Sequence, residues 1–443
     1  MLALLAVAQF MLILDVTVVA IALPDMGAEL GQSRAALTWV VSAYTLVFGG
    51  MLLLGGRSAD LFGSRIVVLT GLGLFTGASL ITGLATGQAM LIGGRAAQGL
   101  GAALLSPAAL SLVVKTFEGE DRNRALGIWS ALGAGGAAVG VLLGGVLTSG
   151  AGWRWVFWVN VPIGLLVLLA LARVVPADRP AGIRGRLDVL GALLVTAATG
   201  SAVFGIIQAG EVGLGSAVAL VPLLAAAVLY AGFVVRQRTA AAPLMDLRIL
   251  ARRSVASGTL LIFVATALMI AVFFLGSFYL QHYRQHSPLV TGLLFLPVAV
   301  ATMAGAQLAG RLVGPLGTRS VGAAGLLVGA AGIGAPVLVD ATVALVAGIA
   351  VAGLGIGAVF VAASATALSR VAHHEAGLAS GILSTFHEFG AAFGVATTSS
   401  VAAASITGPG GEGFAWALGV AAVAGAAAAL ISTVAIPTRA AAR

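Results

Sequence analysis

No cysteine occurs among the 443 residues, which excludes disulfides, cysteine-ligated zinc and iron–sulfur clusters. Lysine is nearly absent as well: Lys115 stands alone against 22 arginines. It follows Val114, so the chain holds no Gly-x-x-x-x-Gly-Lys-Ser/Thr phosphate loop, and ATP-driven pumping by this chain alone is not expected. Charged residues of either sign make up only 9%, against about 25% in soluble proteins. That shortfall excludes a cytosolic enzyme, a nucleic-acid binder and a disordered chain. What is present is 60% hydrophobic, with a mean hydropathy of +1.10. This is the composition of an integral membrane protein, with no catalytic residue, no cofactor and no metal site expected.

A spanning helix needs roughly 20 mostly apolar residues, and fourteen such stretches follow one another. They lie near 3–23, 37–56, 66–86, 89–113, 124–148, 154–174, 188–208, 214–235, 254–280, 289–310, 320–339, 342–369, 376–402 and 414–436. The first carries Asp15 in its apolar run and lacks a small-residue cleavage site, so it reads as a retained helix rather than a signal peptide. Cytoplasmic loops hold the excess of basic residues. Here nineteen fall on one side, Arg34, Arg154 and Arg284 on the other, and Arg95 inside helix 4. Both termini are therefore expected in the cytoplasm. The aromatic group Trp153, Trp155, Phe157 and Trp158 then falls at the outer end of helix 6, at headgroup level.

Sliding the sequence against itself reveals a repeat at an offset of 254 residues. Gly63-Ser64-Arg65 maps onto Gly317-Thr318-Arg319, Gly99-Leu100-Gly101 onto Gly353-Leu354-Gly355, and Gly136 through Gly140 onto Gly390 through Gly394. Helices 1–6 thus match helices 9–14. The expected domains are a six-helix bundle over 1–175, an insert of two helices with linkers over 176–253, and a second bundle over 254–443. Both halves begin on the same side, and parallel six-helix repeats describe a secondary transporter.

A carboxylate at the centre of a spanning helix is unfavourable by about 2.5–3.5 kcal/mol, so an intramembrane acid is a functional candidate by default. Asp15 in helix 1 and Glu388 halfway along helix 13 qualify. Burial disfavours the charged form and a bound cation favours it, so proton and cationic solute can compete for one carboxylate. The alternative for each is a buried carboxyl tied to backbone or hydroxyl groups, such as Thr17 beside Asp15. Arg95 is permanently charged and cannot carry the proton. It can tune a nearby carboxyl or hold a water network, or else snorkel to the outer interface. His387 adjoins Glu388, but neighbouring helix positions diverge by about 100°, so it reads as a polar packing residue rather than an assured partner. His282, His286, His373 and His374 fall in loops without metal-ligand spacing and read as solvated. Gly136, Gly140 and Gly144 form a small-residue stripe that permits close helix packing. Pro107, Pro162, Pro222 and Pro297 fall within helices, where kinks are expected.

Leu14-Asp15-Val16-Thr17-Val18-Val19-Ala20-Ile21-Ala22-Leu23-Pro24 resembles the helix 1 signature of the 14-helix drug:proton antiporter family of the major facilitator superfamily, with Ala20 where Asn is usual. Gly56-Arg57-Ser58-Ala59-Asp60-Leu61-Phe62-Gly63-Ser64-Arg65 is similar to the superfamily's loop motif between helices 2 and 3, with Leu61 and Ser64 replacing basic residues. Leu91-x-x-x-Arg95-x-x-Gln98-Gly99-x-Gly101 fits the helix 4 motif. Gly136-x-x-x-Gly140-Val141-x-x-Gly144-Gly145 resembles the antiporter motif of helix 5, with Val141 at the usual Pro position. Gly152 through Phe157, Asn160-Val161-Pro162-Ile163-Gly164 and Pro243 through Arg248 also look like this family's connecting segments. The resemblance covers essentially the whole chain.

The resemblance implies an all-α integral membrane protein of the major facilitator fold. It would be a monomer in the cell membrane, exporting lipophilic, often cationic, drugs or antibiotics in exchange for protons by alternating access. Asp15, Arg95 and Glu388 would couple protons. Gly56, Asp60, Gly63 and Arg65, with Gly136, Gly140 and Gly144, would serve conformational gating, and Asp15, Gln98, His387 and Glu388 are the candidate substrate contacts. The expected partners are a small lipophilic solute, protons and the bilayer, with no nucleic acid. Three rivals remain: a dedicated exporter of one metabolite, siderophore, self-made antibiotic or lipid; a sensor that retains the fold without transport; and uptake by symport, which Val141 keeps open.

Overall fold

Hydrocarbon offers no water to the backbone, so a spanning chain must close its N–H and C=O bonds within each segment. The computed structural model is accordingly helical, with no strand among the described residues, which are 1–176, 187–339, 341–369, 371, 375–403 and 412–436. His373 and His374, and the basic residues Arg179, Arg184, Arg186, Arg370, Arg439 and Arg443, lie outside them. The helices are α1 (Leu2–Leu30), α2 (Arg34–Phe62), α3 (Ser64–Gly83), α4 (Gln88–Thr116), α5 (Gly119–Gly150), α6 (Trp155–Trp158), α7 (Asn160–Val174) and α8 (Val189–Val212). They continue with α9 (Ala217–Thr239), α10 (Leu247–Ala251), α11 (Arg253–Phe278), α12 (Pro288–Leu338), α13 (Thr342–Leu368), α14 (Ala376–Val401) and α15 (Glu412–Ala435). Their ends follow local chemistry. Gly31 closes α1 in the left-handed region at φ 59, Ser33 caps α2 by accepting from the Ala36 N–H at 3.2 Å, and Ser287 caps α12 ahead of Pro288 in its first turn.

Eleven of the described helices are long and apolar enough to cross a membrane. One of them, α12, has 51 residues, about 77 Å at 1.5 Å per residue, more than twice the hydrocarbon thickness. It bends at Gly317, whose φ of 80 breaks it into two limbs, so it supplies two passes. With α5 and α14, which have 32 and 26 residues, the fourteen expected passes are present. Three details differ from expectation. The break expected over 311–319 narrows to Gly317, because Arg311 through Leu316 continue the helix. The helix expected over 154–174 is present as one span, Trp155–Val174, divided into α6 and α7 at Val159, whose torsions stay helical at φ −58 and ψ −30; Pro162, which has no N–H to give, follows that junction. α11 runs on into a π-helical turn, Tyr279–Tyr283.

The described chain divides into two compact units, one of residues 1–202 and 222–244, the other of 203–221 and 245–443. In the first, α1 packs on α5, α2 and α3 pack on α4, and α3 packs on α7; in the second, α11 packs on α14, and α12 packs on α13 and α15. The 254-residue repeat survives at the level of single contacts. A Cβ at Gly99 would lie 2.5 Å from the Tyr44 carbonyl oxygen, and one at Gly353 would lie 2.7 Å from that of Val298, each residue shifted by the same offset. Gly101 meets the backbone of Gly71 and Phe75 as Gly355 meets that of Gly325 and Gly329. Gly63, at φ 93 between α2 and α3, recurs as Gly317. Glycine at these pairs brings backbones into contact, which is how helices associate in lipid without a hydrophobic driving force.

Candidate functional site

The first unit encloses a buried ionic cluster built by five helices. Asp15 from α1 is 0% exposed and Arg95 from α4 is 1% exposed. The Arg95 guanidinium donates through Nη1 to Asp15 Oδ2 and to Gln98 Oε1 at 3.0 Å, and through Nε to the Val40 carbonyl of α2 at 2.9 Å. Gln98, one turn along α4, donates from Nε2 to Asp15 Oδ1 at 3.2 Å and to Ser79 of α3 at 2.8 Å. Asn160 Nδ2, at the start of α7, reaches the same Asp15 Oδ1 at 3.3 Å. The Tyr44 ring lies 4.3 Å below the guanidinium carbon, a cation–π distance. Two side-chain amides and one fixed cation therefore surround the carboxylate.

Arg95 does not snorkel: its whole side chain is enclosed, and its charge is turned inward. Thr17 is not the partner of Asp15 either, since its hydroxyl donates to the Leu14 carbonyl at 3.1 Å. Gln98 is fully buried, and both ends of its amide are engaged by protein groups. Gly136, Gly140 and Gly144 face α1 directly. Their missing Cβ atoms would meet Ile13 at 2.6 Å, the Thr17 hydroxyl, and the Val18 carbonyl at 3.0 Å, so the stripe is the seam that holds Asp15 in place.

Glu388 lies in the second unit on α14 and is 8% exposed. His387 Nδ1 stands 3.2 Å from its Oε1, so the two adjacent side chains do pair, contrary to the expectation drawn from helix geometry. The His387 side chain is 43% exposed and stands 5.9 Å from the Phe360 ring. No arginine accompanies this acid among the described groups, unlike Asp15.

The loop residues have their own places. Gly63 makes the turn between α2 and α3, Gly56 and Asp60 are half-buried on the last turns of α2, and Arg65 Nη2 donates to the Ala172 carbonyl at the end of α7 at 2.6 Å. Lys115 Nζ donates to Ser64 at 2.8 Å. Near the first turn of α6, Trp153 Nε1 donates to Glu29 Oε2 at 2.8 Å, and Arg154 pairs with the same carboxylate. At the start of α8, Asp188 accepts from Arg236 and Gln237 at 2.8 Å each and from the Gly191 N–H at 3.1 Å. Burial alone pushes its carboxyl up, but these donors together hold it below the ordinary aspartate value.

Reasoning from sequence missed Tyr44 and Ser79 and assigned Asn160 no role of its own. The signal for Asn160 was a polar residue opening an apolar helix; for Tyr44 and Ser79 the partners come from other helices, so their spacing carries no trace.

A family model described as the Major Facilitator Superfamily matches residues 5–395. The chain is 41% identical over 410 residues to the cephamycin export protein CmcT of Amycolatopsis lactamdurans, covering 90% of this chain and 84% of that one. It is 38% identical to the puromycin resistance protein pur8 of Streptomyces alboniger, covering 89% and 80%. It is 35% identical to the multidrug resistance protein Stp of Mycobacterium tuberculosis, covering 89% and 74%. Among solved structures, a bacterial homolog to the human lysosomal transporter Spinster superposes with a TM-score of 0.70 at 15% identity, over 98% of this chain and 96% of that one. At that identity the likeness speaks to the fold.

Proposed function

The chain belongs to the Major Facilitator Superfamily and is a multi-pass membrane transporter rather than an enzyme, and from that premise we propose that it exports lipophilic, often cationic, drugs or antibiotics in exchange for protons. The observation that carries this reading is Asp15: a carboxylate wholly withdrawn from water, balanced by a single cation and held by donors from two further side chains. A purely structural pair would be replaceable by apolar packing at little cost. An intramembrane acid with such a shell is instead poised to exchange one proton for a change in its partners. In this reading Asp15 is the main proton carrier, and Arg95 returns it to the ionised state after each cycle. Glu388 with His387 forms a second site that takes a proton or a cationic solute. Gln98 acts through Asp15 rather than by touching the solute, since its amide is committed.

The remaining assignments belong to the same reading. Both termini face the cytoplasm of a cell-membrane monomer, and access alternates through two bundles, 1–175 and 254–443, with 176–253 inserted. Gly56, Asp60, Gly63 and Arg65 act at the cytoplasmic gate, and the glycine seam of α5 keeps α1 and α5 in sliding contact. A dedicated exporter of one antibiotic is the second reading, favoured by the name of the cephamycin relative.

The deciding experiment is dye and drug flux into inside-out vesicles under an imposed proton gradient, for the wild type, Asp15→Asn and Glu388→Gln. Accumulation that collapses with the gradient and with Asp15→Asn is expected. Wild-type rates in Asp15→Asn would remove the proposed carrier. Flux of one antibiotic alone from a broad panel would select the dedicated exporter.

A further inference from the structure

We propose that Asn160 is the positioning residue that answers the protonation of Asp15, by reversing its side-chain amide when the carboxylate takes up a proton. The inference rests on the reading of Asp15 as the proton carrier. Oδ2 of Asp15 faces the Arg95 guanidinium, which has no acceptor at any pH. A proton arriving from solvent therefore forms its O–H bond at Oδ1, and no bond within the chain breaks. At Oδ1 stand two amide nitrogens, Gln98 Nε2 at 3.2 Å and Asn160 Nδ2 at 3.3 Å. Both donate to the carboxylate, so neither can receive the new O–H without turning over.

Only one of the two is free to turn. Reversing Gln98 would give up its bonds from Arg95 Nη1 at 3.0 Å and to Ser79 at 2.8 Å, presenting a nitrogen to the guanidinium and an oxygen to the serine hydroxyl. The Asn160 side chain bonds, among the described residues, to Asp15 alone. A half-turn about its terminal torsion replaces Nδ2 by Oδ1, which accepts the O–H. The ionised and protonated states of the carboxyl are thus both satisfied, each by one amide orientation.

The position of Asn160 makes this reversal more than local. It opens α7 immediately after the junction that follows α6. The residues before α6, Trp153 and Arg154, hold Glu29 near the other end of α1. The segment leading into α7 is therefore fastened to α1 at two points, and the proton alters one of them. The charged or titratable groups facing Asp15 are Arg95 of α4 and the Tyr44 hydroxyl of α2, which donates to the Leu12 carbonyl at 3.4 Å. Those of α5 (Glu120, Asp121, Arg122, Arg124) lie in its first two turns, those of α2 (Arg34, Arg57, Asp60) in its end turns, and Arg173 of α7 and Lys115 of α4 in terminal turns; Arg154 beside α6 is engaged by Glu29, and Asp25 and Glu29 lie ten and fourteen residues along α1.

The test uses the full chain in proteoliposomes and compares Asn160→Leu, which can neither donate nor accept, with Asn160→Ser, which can do both. Gradient-driven ethidium flux is read across the neutral pH range beside ethidium counterflow without a proton gradient. In Asn160→Leu driven flux is expected to fall further than counterflow and its pH midpoint to move by about one unit, a tenfold change in proton affinity. Asn160→Ser is expected to restore part of the wild-type profile. Driven flux and counterflow falling together on an unchanged pH profile in both variants would make Asn160 a packing residue and overturn the inference. So would wild-type behaviour of Asn160→Leu. Counterflow without gradient-driven flux in the wild type would instead fail the proton-carrier reading, and the inference with it.

Discussion

Replacing Asp15 by Asn leaves the Arg95 guanidinium enclosed, at 1% exposure, without its counter-charge. The amide restores the counter-charge in neither orientation. With its oxygen toward Arg95, its NH₂ finds an acceptor only if Asn160 turns over, since Gln98 Nε2 stays a donor; with its oxygen toward those two, its NH₂ meets Arg95 Nη1. Removing one partner of a buried ion pair costs about 3–5 kcal/mol, because the other charge is left uncompensated. The reverse change, Arg95→Leu, should cost a similar amount by stranding the carboxylate. The double variant Asp15→Asn/Arg95→Leu removes both charges, so it should be more stable than the sum of the two losses implies, with a coupling energy of about 2 kcal/mol or more. The assay is reversible unfolding of the purified protein in mixed micelles of rising SDS fraction, run on all four members of the cycle. Strict additivity, or single losses below about 1 kcal/mol, would refute the reasoning: the pair would then be hydrated in the folded protein and its geometry would carry no energetic weight. Transport adds an independent reading, since all three variants should lose gradient-driven flux whatever their stability.

Gly140→Ala places a methyl group onto the Thr17 hydroxyl and should destabilise α1 against α5 by about 1–3 kcal/mol; Thr17→Ala should recover part of that loss in the same unfolding assay. Gly101→Ala meets backbone atoms of Gly71 and Phe75 instead, so no side-chain change in α3 should rescue it. Glu388→Gln should slow efflux of monovalent lipophilic cations at least tenfold more than efflux of neutral drugs, and equal slowing of both classes would remove Glu388 from cation recognition. Asp188 is held below the ordinary aspartate value, so its contribution to stability is present above about pH 4 and is lost as pH falls through its depressed folded value. The stability difference between wild type and Asp188→Asn should therefore be largest near neutrality and shrink in strong acid; a difference independent of pH would assign the contribution to packing rather than charge.

Much of this architecture is legible along the chain because the bilayer is a severe solvent. Each pass must be about 20 apolar residues of self-satisfied helix, so the fourteen passes and the internal repeat can be counted from composition and spacing, and any acid within a pass stands out. Asp15, Arg95 and Glu388 were identifiable on that ground alone. Helix 6 and the limbs of α12 are less legible. Hydropathy does not say that the helix continues from Arg311 through Leu316 and turns at Gly317 alone, because that depends on a backbone torsion rather than on apolar content.

What the sequence by itself determined is which residues are out of place in hydrocarbon, and that the two halves repeat. What only the tertiary structure decided is how those residues are reconciled with it. Asp15 and Arg95 are eighty positions apart, and no periodicity says that α4 turns its arginine inward instead of toward the interface. Gln98, Ser79, Asn160 and the Val40 carbonyl come from four helices to one point. A buried charge is tolerable only where its partners converge, and convergence is a property of packing, since each helix fixes its own face but the neighbouring helices decide what that face meets.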